Sequence, residues 1–339
     1  MATGSFSKLV RWRRCRQQAW WKDVKKLQRK AKSIAPSRGT LLHKSLEYLY
    51  TGKDWTVPIN EFEPDLENVF DEEREDWVEL KQECYRIMRG YIAAFKDSDA
   101  KHKTIATEVE FEIPLGTSKH RYAGTIDRIY VDENDVAWVE DHKTVGKVPS
   151  EKELYIDMQT IMYVDACKYD ENIQKLLKGR KIGGVVFNHV RTKAPREPKV
   201  LIKGGISKAA CDTDVATYFT TVKKHGLNVD DYKDMIPKLQ GNVFFKRTKV
   251  PVRDATVNIL RDEAEVTLAE VDMYLGKVEK YGDDAKKFFT RTMLKNRCSW
   301  DCEFYALCFG ELAGMKINNI LTEDYEVRES RYDDDFVDE

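Results

Sequence analysis

The chain has 339 residues, 34% of them charged, a formal net charge of −1 at pH 7 and seven cysteines. No apolar run approaches the roughly 18 residues needed to span a bilayer, and the basic start lacks a signal-peptide core, so the expectation is a soluble, cytoplasmic protein with no membrane partner. The length suits two average domains or one core with a large insertion, and no repeat or low-complexity linker divides it.

The charge is unevenly spread. Residues 8–32 hold eleven lysines and arginines against the single acid Asp23, a density that can neutralise phosphates. Trp12, Trp20 and Trp21 are interleaved with them, and two readings stay open: stacking on unpaired bases, or anchoring a helix to the core. Cys15 lies in the same stretch. Next, Arg38 to Leu49 reads as an amphipathic helix with His43 beside the apolar Leu42, Leu46 and Leu49.

Residues 121–131 and 136–143 are rich in β-branched and aromatic side chains, and Asp132 to Asp135 between them is a turn cluster, which predicts an antiparallel hairpin. Pairing 132 with 136 leaves a three-residue loop and sets Asp127 opposite Asp141. Side chains alternate along a strand, so Asp141 and Lys143 share a face and only the main-chain carbonyl of His142 can join them. Acid-x-lysine triplets recur at Glu197-Pro-Lys199 and Asp231-Tyr-Lys233, but the one at 141 ends the apolar strand Val136-Ala-Trp-Val139. Grouped charges there are costly unless they line a cleft. Two carboxylates converging on a divalent cation beside an ammonium are the minimum equipment for phosphodiester hydrolysis.

The helical stretch 151–179 puts Gln159 and Tyr163 one turn apart on one face. Residues 182–190 read as a further buried strand, 192–198 as a loop, and Gly204-Gly205-Ile-Ser-Lys208 as a turn. Residues 214–238 and 257–287 look helical, separated by 242–250, whose Lys246, Arg247 and Lys249 are candidate DNA contacts. Cys84, Cys167 and Cys211 fit small hydrophobic roles. Cys298, Cys302 and Cys308 pack three thiols into eleven residues and need a fourth ligand. Zinc prefers Cys-x-x-Cys knuckles, absent here, whereas cubane iron-sulfur clusters accept uneven spacing. The end of the chain, from Asp333, is strongly acidic and reads as a disordered tail. There is no Gly-x-x-x-x-Gly-Lys-Ser/Thr phosphate loop, so any unwinding comes from a partner.

Gly124-x-x-Asp127, Asp141-x-Lys143, Gln159-x-x-x-Tyr163 and the upstream helical His43 follow the order of motifs in the RecB-type branch of the PD-(D/E)xK nucleases, which the sequence resembles from about Ser7 to about Gly310. The resemblance implies an α/β, restriction-endonuclease-like fold with a mixed central sheet flanked by helices. It further implies that His43, Asp127, Asp141 and the His142 carbonyl bind Mg2+ or Mn2+, that Lys143 positions and deprotonates water, and that Gln159 and Tyr163 are accessory. Cys15 with Cys298, Cys302 and Cys308 resembles the 4Fe-4S clasp of AddB-type and CRISPR-associated four-cysteine exonucleases, except that three residues rather than two separate the first late pair. On that resemblance the chain divides into a basic helical segment (1–50), a nuclease core (51–210), a helical region ending in the cysteines (211–320) and an acidic tail (321–339). The implied activity is an end-dependent DNA exonuclease of phage or prokaryotic recombination, repair or replication, acting on single strands or duplex ends, with a helicase or single-stranded-DNA-binding protein as partner. The alternatives are a structure-specific or nicking endonuclease, and a non-catalytic DNA-binding subunit.

Overall fold

A computed structural model describes residues 3–30, 34–63, 74–115, 119–155, 157–209, 211–293 and 295–328. The strands are β1 (Thr3–Gly4), β2 (Leu27–Arg29), β3 (Lys103–Pro114), β4 (Arg121–Val131), β5 (Ala137–Val145), β6 (Ile182–Arg191), β7 (Phe245–Val250) and β8 (Tyr325–Val327). Six of them form one sheet in the order β1-β4-β5-β6-β7, with β3 also on β4. The sheet is mixed: β1 is parallel to β4 and β6 to β5, whereas β3, β5 and β7 run antiparallel to their neighbours β4, β4 and β6.

The predicted hairpin register holds: Arg128 pairs with Glu140 and Val131 with Ala137, and the Asp132 amide donates to the Val136 carbonyl at 3.0 Å. Asp132 organises the loop because its Oδ1 accepts from the amides of Asn134 and Val136 at 3.0 and 3.2 Å, a local turn motif that acidic side chains favour.

One irregularity matters for function. The strand β3 covers one edge of β4 from Arg121 to Val131, so β1 and β5 must share the other edge. There β1 takes Arg121 and Tyr122, β5 takes Arg128 to Val131, and residues 123–127 between them are left without a ladder partner. The sheet therefore opens a gap at Asp127.

Helices cover both faces. The Met158–Tyr169 helix and the long Asp254–Tyr281 helix build the larger core with Ile126, Ile129 and Val139 of the sheet. The Ile34–Tyr50 and Arg74–Asp99 helices form a second apolar cluster reaching Val190. The predicted helix at 151–179 is three segments, Glu151–Leu154, Met158–Tyr169 and Glu171–Leu177, the third capped by the Asp170 carboxylate. The strand predicted at 182–190 is present, parallel to β5, and the turn at Gly204 and Gly205 has both glycines at positive φ, 84° and 93°.

Several expectations change. A core boundary at 210 would cut the sheet, because β7 at 245–250 belongs to it. Residues 214–238 are a helix only to Lys224, followed by a 3-10 turn and a short helix. Of the segment expected as a tail, 321–327 finish a helix and form β8, paired with β2, while 329–339 lie outside the described residues. Much of the basic segment is engaged within the protein: Arg11 pairs with Asp23 at 2.6 Å, Arg14 with Asp301 at 2.9 Å, Lys22 with Glu303 at 3.0 Å and Lys25 with Asp283 at 2.7 Å, and Arg16 pairs with Glu270. Trp12, Trp20 and Trp21 are buried, with Trp12 and Trp20 against Phe289 at 5.7 and 5.0 Å, so they anchor the core and do not stack bases. No described helix is long and apolar enough to cross a membrane.

Candidate active site

The gap beside β4 is the mouth of a cavity of about 310 Å³ lined by His43, Gly124, Asp127, Asp141, Lys143, Gln159 and Tyr163, with Ser5 to Ser7 at its rim. Gly124 is required by packing: a Cβ there would stand 2.9 Å from the Phe111 ring. The structure brings together every residue of the three predicted motifs.

Asp127 bridges to β5 through its side chain, accepting the His142 amide on Oδ2 at 2.6 Å. On the next strand, Lys143 Nζ donates to Asp141 Oδ1 at 3.1 Å and to Gln159 Oε1 at 2.6 Å, and Gln159 Nε2 donates to the Tyr163 hydroxyl at 2.8 Å. The helix carrying Gln159 and Tyr163 is held by Asp157, whose side chain accepts the Thr160 amide at 3.0 Å, a standard N-cap. His43 stands with Nδ1 3.8 Å from Asp127 Oδ2.

Electrostatics follow from burial. Burial raises Asp127, eased by the His142 amide, and burial raises Asp141, eased by Lys143 and aggravated by Asp127. Burial alone would lower Lys143, but Asp141, with support from Asp157 and Asp127, outweighs it and raises the lysine. In the metal-free site the neighbouring carboxylates thus favour the ammonium form of Lys143. Burial lowers His43, leaving a neutral ring, with Asp141 and the His142 backbone opposing.

Sequence reasoning missed Glu108. The β3 register, Thr107 with Arg128 and Val109 with Ile126, sets it across from Asp127, and its φ of 48° is left-handed. The only signal was an acid at alternate positions, Glu108, Glu110 and Glu112. Of the candidate DNA contacts on β7, Arg247 is withdrawn: it pairs with Asp99 at 2.5 Å and with Glu140 at 3.1 Å on the far side of the sheet. Lys246 and Lys249 are ion-paired to Glu151 and Asp132 at 3.3 and 3.4 Å.

No group of three or more His, Cys, Asp or Glu side chains is arranged to hold a metal ion among the described residues. The predicted set of His43, Asp127, Asp141 and His142 is therefore not a preformed cage. The donor chemistry nonetheless suits a hard cation of the Mg2+ type, which takes one or two carboxylates and completes its shell with water and substrate oxygens. Asp141 lines the cavity with both carboxylate oxygens close to the Lys143 ammonium, Oδ1 at 3.1 Å and Oδ2 at 2.9 Å.

The four predicted cluster cysteines share one cavity, although among the described residues they too are not arranged as a metal-holding group. Cys15, Cys298, Cys302 and Cys308 line one cavity of about 260 Å³ with Arg291 and Phe304, and all seven cysteines are free thiols. Burial pushes Cys302 up to about 11 and raises Cys308, the latter eased by Arg291. Cys84 and Cys167 are buried, Cys211 only partly.

A family model described as the PD-(D/E)XK nuclease superfamily matches residues 3–308. The chain belongs to this superfamily. The match spans β1 through the last cysteine, so the sheet, the cavity and the cysteine cluster all fall within a nuclease framework. No curated protein matches the sequence. Among solved structures the chain is similar to one titled "Crystal structure of SSO0001", at 14% identity over 90% of this chain and 85% of that one, with a TM-score of 0.32.

Proposed function

We propose that this nuclease is a metal-dependent DNA exonuclease using Mg2+ or Mn2+, with Asp127 and Asp141 as the carboxylates that hold the cation and the His142 carbonyl as a further oxygen donor. The observation that carries the reading is the single cavity in which both carboxylates, Lys143, Gln159 and Tyr163 meet at a break in the sheet. A bound cation would supply Lewis-acid stabilisation of phosphoryl oxygens and an acidified water. The chain's own part is electrostatic: Lys143, kept charged by Asp141 and oriented by Gln159, stands ready to stabilise charge developing on phosphate oxygens. Tyr163 fixes Gln159 and so the lysine. His43, with Nδ1 3.8 Å from Asp127 Oδ2, is the further side-chain ligand to the cation that the motif resemblance implies.

The four cysteines around one cavity match the ligand count of a 4Fe-4S cluster. We read it as structural, joining the N-terminal Cys15 to the late triplet. Exonuclease action, a recombination or repair setting in a phage or prokaryote, and a helicase or single-stranded-DNA-binding partner rest on the motif resemblance. The test is hydrolysis of end-labelled DNA with Mg2+ or Mn2+ by wild type, Asp127→Ala and Lys143→Ala, beside a closed circular substrate. Loss of activity in both variants with the circle left intact is expected; retained cleavage in both overturns the site, and a cut circle overturns end dependence. Purification without oxygen should give absorbance near 400 nm; a colourless protein free of iron removes the cluster.

A further inference from the structure

Behind β5, on the face opposite the carboxylates, lies a hydrogen-bonded cluster that ends on the ring of His142. Asn188 on β6 has its Nδ2 2.6 Å from the Tyr91 hydroxyl and 2.8 Å from His142 Nδ1. The hydroxyls of Tyr91 and Tyr50 are 2.6 Å apart, and Arg247 donates to both, at 2.6 and 2.5 Å. A guanidinium only donates, so both phenol oxygens accept from it. Tyr50 then donates onward to Asp99 Oδ2 at 3.3 Å. With Tyr91 so engaged, Asn188 spends one amide hydrogen on Tyr91 and the other on His142 Nδ1. In this arrangement the ring of His142 carries its proton on Nε2.

The same residue serves the other face through its backbone. Its amide donates to Asp127 Oδ2 at 2.6 Å. Tyr50 lies two turns after His43 on one helix; its ring stacks on His142 at 5.9 Å and 22°, while His43 meets His142 edge-on at 5.8 Å. One helix thus grips residue 142 from two sides. His142 is 3% exposed and Asn188 is fully buried.

We propose that Asn188 and Tyr91 are positioning residues for the catalytic face: by fixing the His142 ring in one orientation and one tautomer, they fix the backbone of residue 142, and with it Asp127. Neither residue belongs to the motifs that mark the site. The proposal rests on the reading of Asp127 as a metal-holding carboxylate only for its effect on metal affinity; the effect on the backbone stands apart from that reading.

The experiment uses full-length Asn188→Leu and Tyr91→Phe, the second preserving shape if the first fails to fold. In metal-free wild type, imidazole nitrogen shifts, assigned with His142→Asn, should show an unprotonated Nδ1. Hydrogen exchange of the His142 amide should accelerate about tenfold in both variants, and Mn2+ affinity measured by calorimetry without DNA should fall roughly tenfold, the effect typical of partners that orient metal ligands. At saturating Mn2+, kcat should return toward wild type. A protonated Nδ1 in wild type, or amide exchange at residue 142 unchanged in both variants although their melting temperatures fall, overturns the proposal. Wild type that binds no Mn2+ sinks the metal reading alone, and amide exchange still decides the positioning claim.

Discussion

The two faces of β5 bury charge in opposite ways. On the back, Glu140 is fully buried between two guanidiniums, with Arg128 at 2.7 Å and Arg247 at 3.1 Å, and Arg128 lies over the Tyr50 ring at 3.6 Å. On the front, one residue later, Asp141 is 1% exposed and has a single lysine, itself shared with Gln159. Equal burial with unequal compensation separates structure from chemistry. A carboxylate enclosed by two guanidiniums holds the sheet, whereas one that faces a cavity beside a second carboxylate and one shared lysine is primed for a cation.

The largest test of this contrast is at the front. Asp141→Asn should cut hydrolysis on the order of 10³-fold or more while the melting temperature holds or rises, because the repulsion between the buried Asp127 and Asp141 carboxylates is relieved; a clear fall in melting temperature would erase the distinction between the faces. At the back, Glu140→Ala should cost roughly 3–5 kcal/mol in urea unfolding, since it strands buried guanidiniums. A cost under about 1 kcal/mol would mean that the back cluster is not structural.

Between the ends of the chain, Cys302→Ala in cluster-loaded protein should lower the melting temperature by several degrees or about that, since closing a long loop contributes on the order of several kcal/mol; an unchanged melting temperature excludes a structural cluster. A subtler effect is pH. Asp127 and Asp141 are raised to about 7 by burial, above their unfolded range near 4. The folded metal-free protein then binds protons that the unfolded chain releases, so this contribution to stability is full below about pH 4 and is lost as pH climbs through the raised values. Comparing urea midpoints of wild type and Asp141→Asn from pH 5 to 8 checks the sign; parallel curves would remove it. The smallest change is Lys25→Ala, an exposed pair with Asp283 expected to cost less than about 1 kcal/mol.

How legible all this was in the sequence depended on distance along the chain. The Asp127–Asp141 facing was readable because the short loop at Asp132 counts out the register locally, and Gln159 with Tyr163 because helical spacing is local too. The resemblance gathered the four cysteines. What could not be read were partners far away: Asp283, Asp301 and Glu303, which consume the N-terminal cations, stand more than 240 residues downstream. The burial of Arg247 depends on Asp99, brought in by another helix. Nothing local marks β1, two residues long, as the strand whose departure at Ser5 opens the site, nor Glu108 as left-handed.

The ladder between β2 and β8 pairs Leu27 with Val327 and Arg29 with Tyr325, and it imposes an order on synthesis. A growing chain can assemble its sheet, from β1 through β7, before β8 is made, but β2 waits for β8 before it has a mate. Until residues 289–303 emerge, Trp12, Trp20, Arg14 and Lys22 are without the ring and acids that later cover them, so that interval is when the nascent protein most needs shielding.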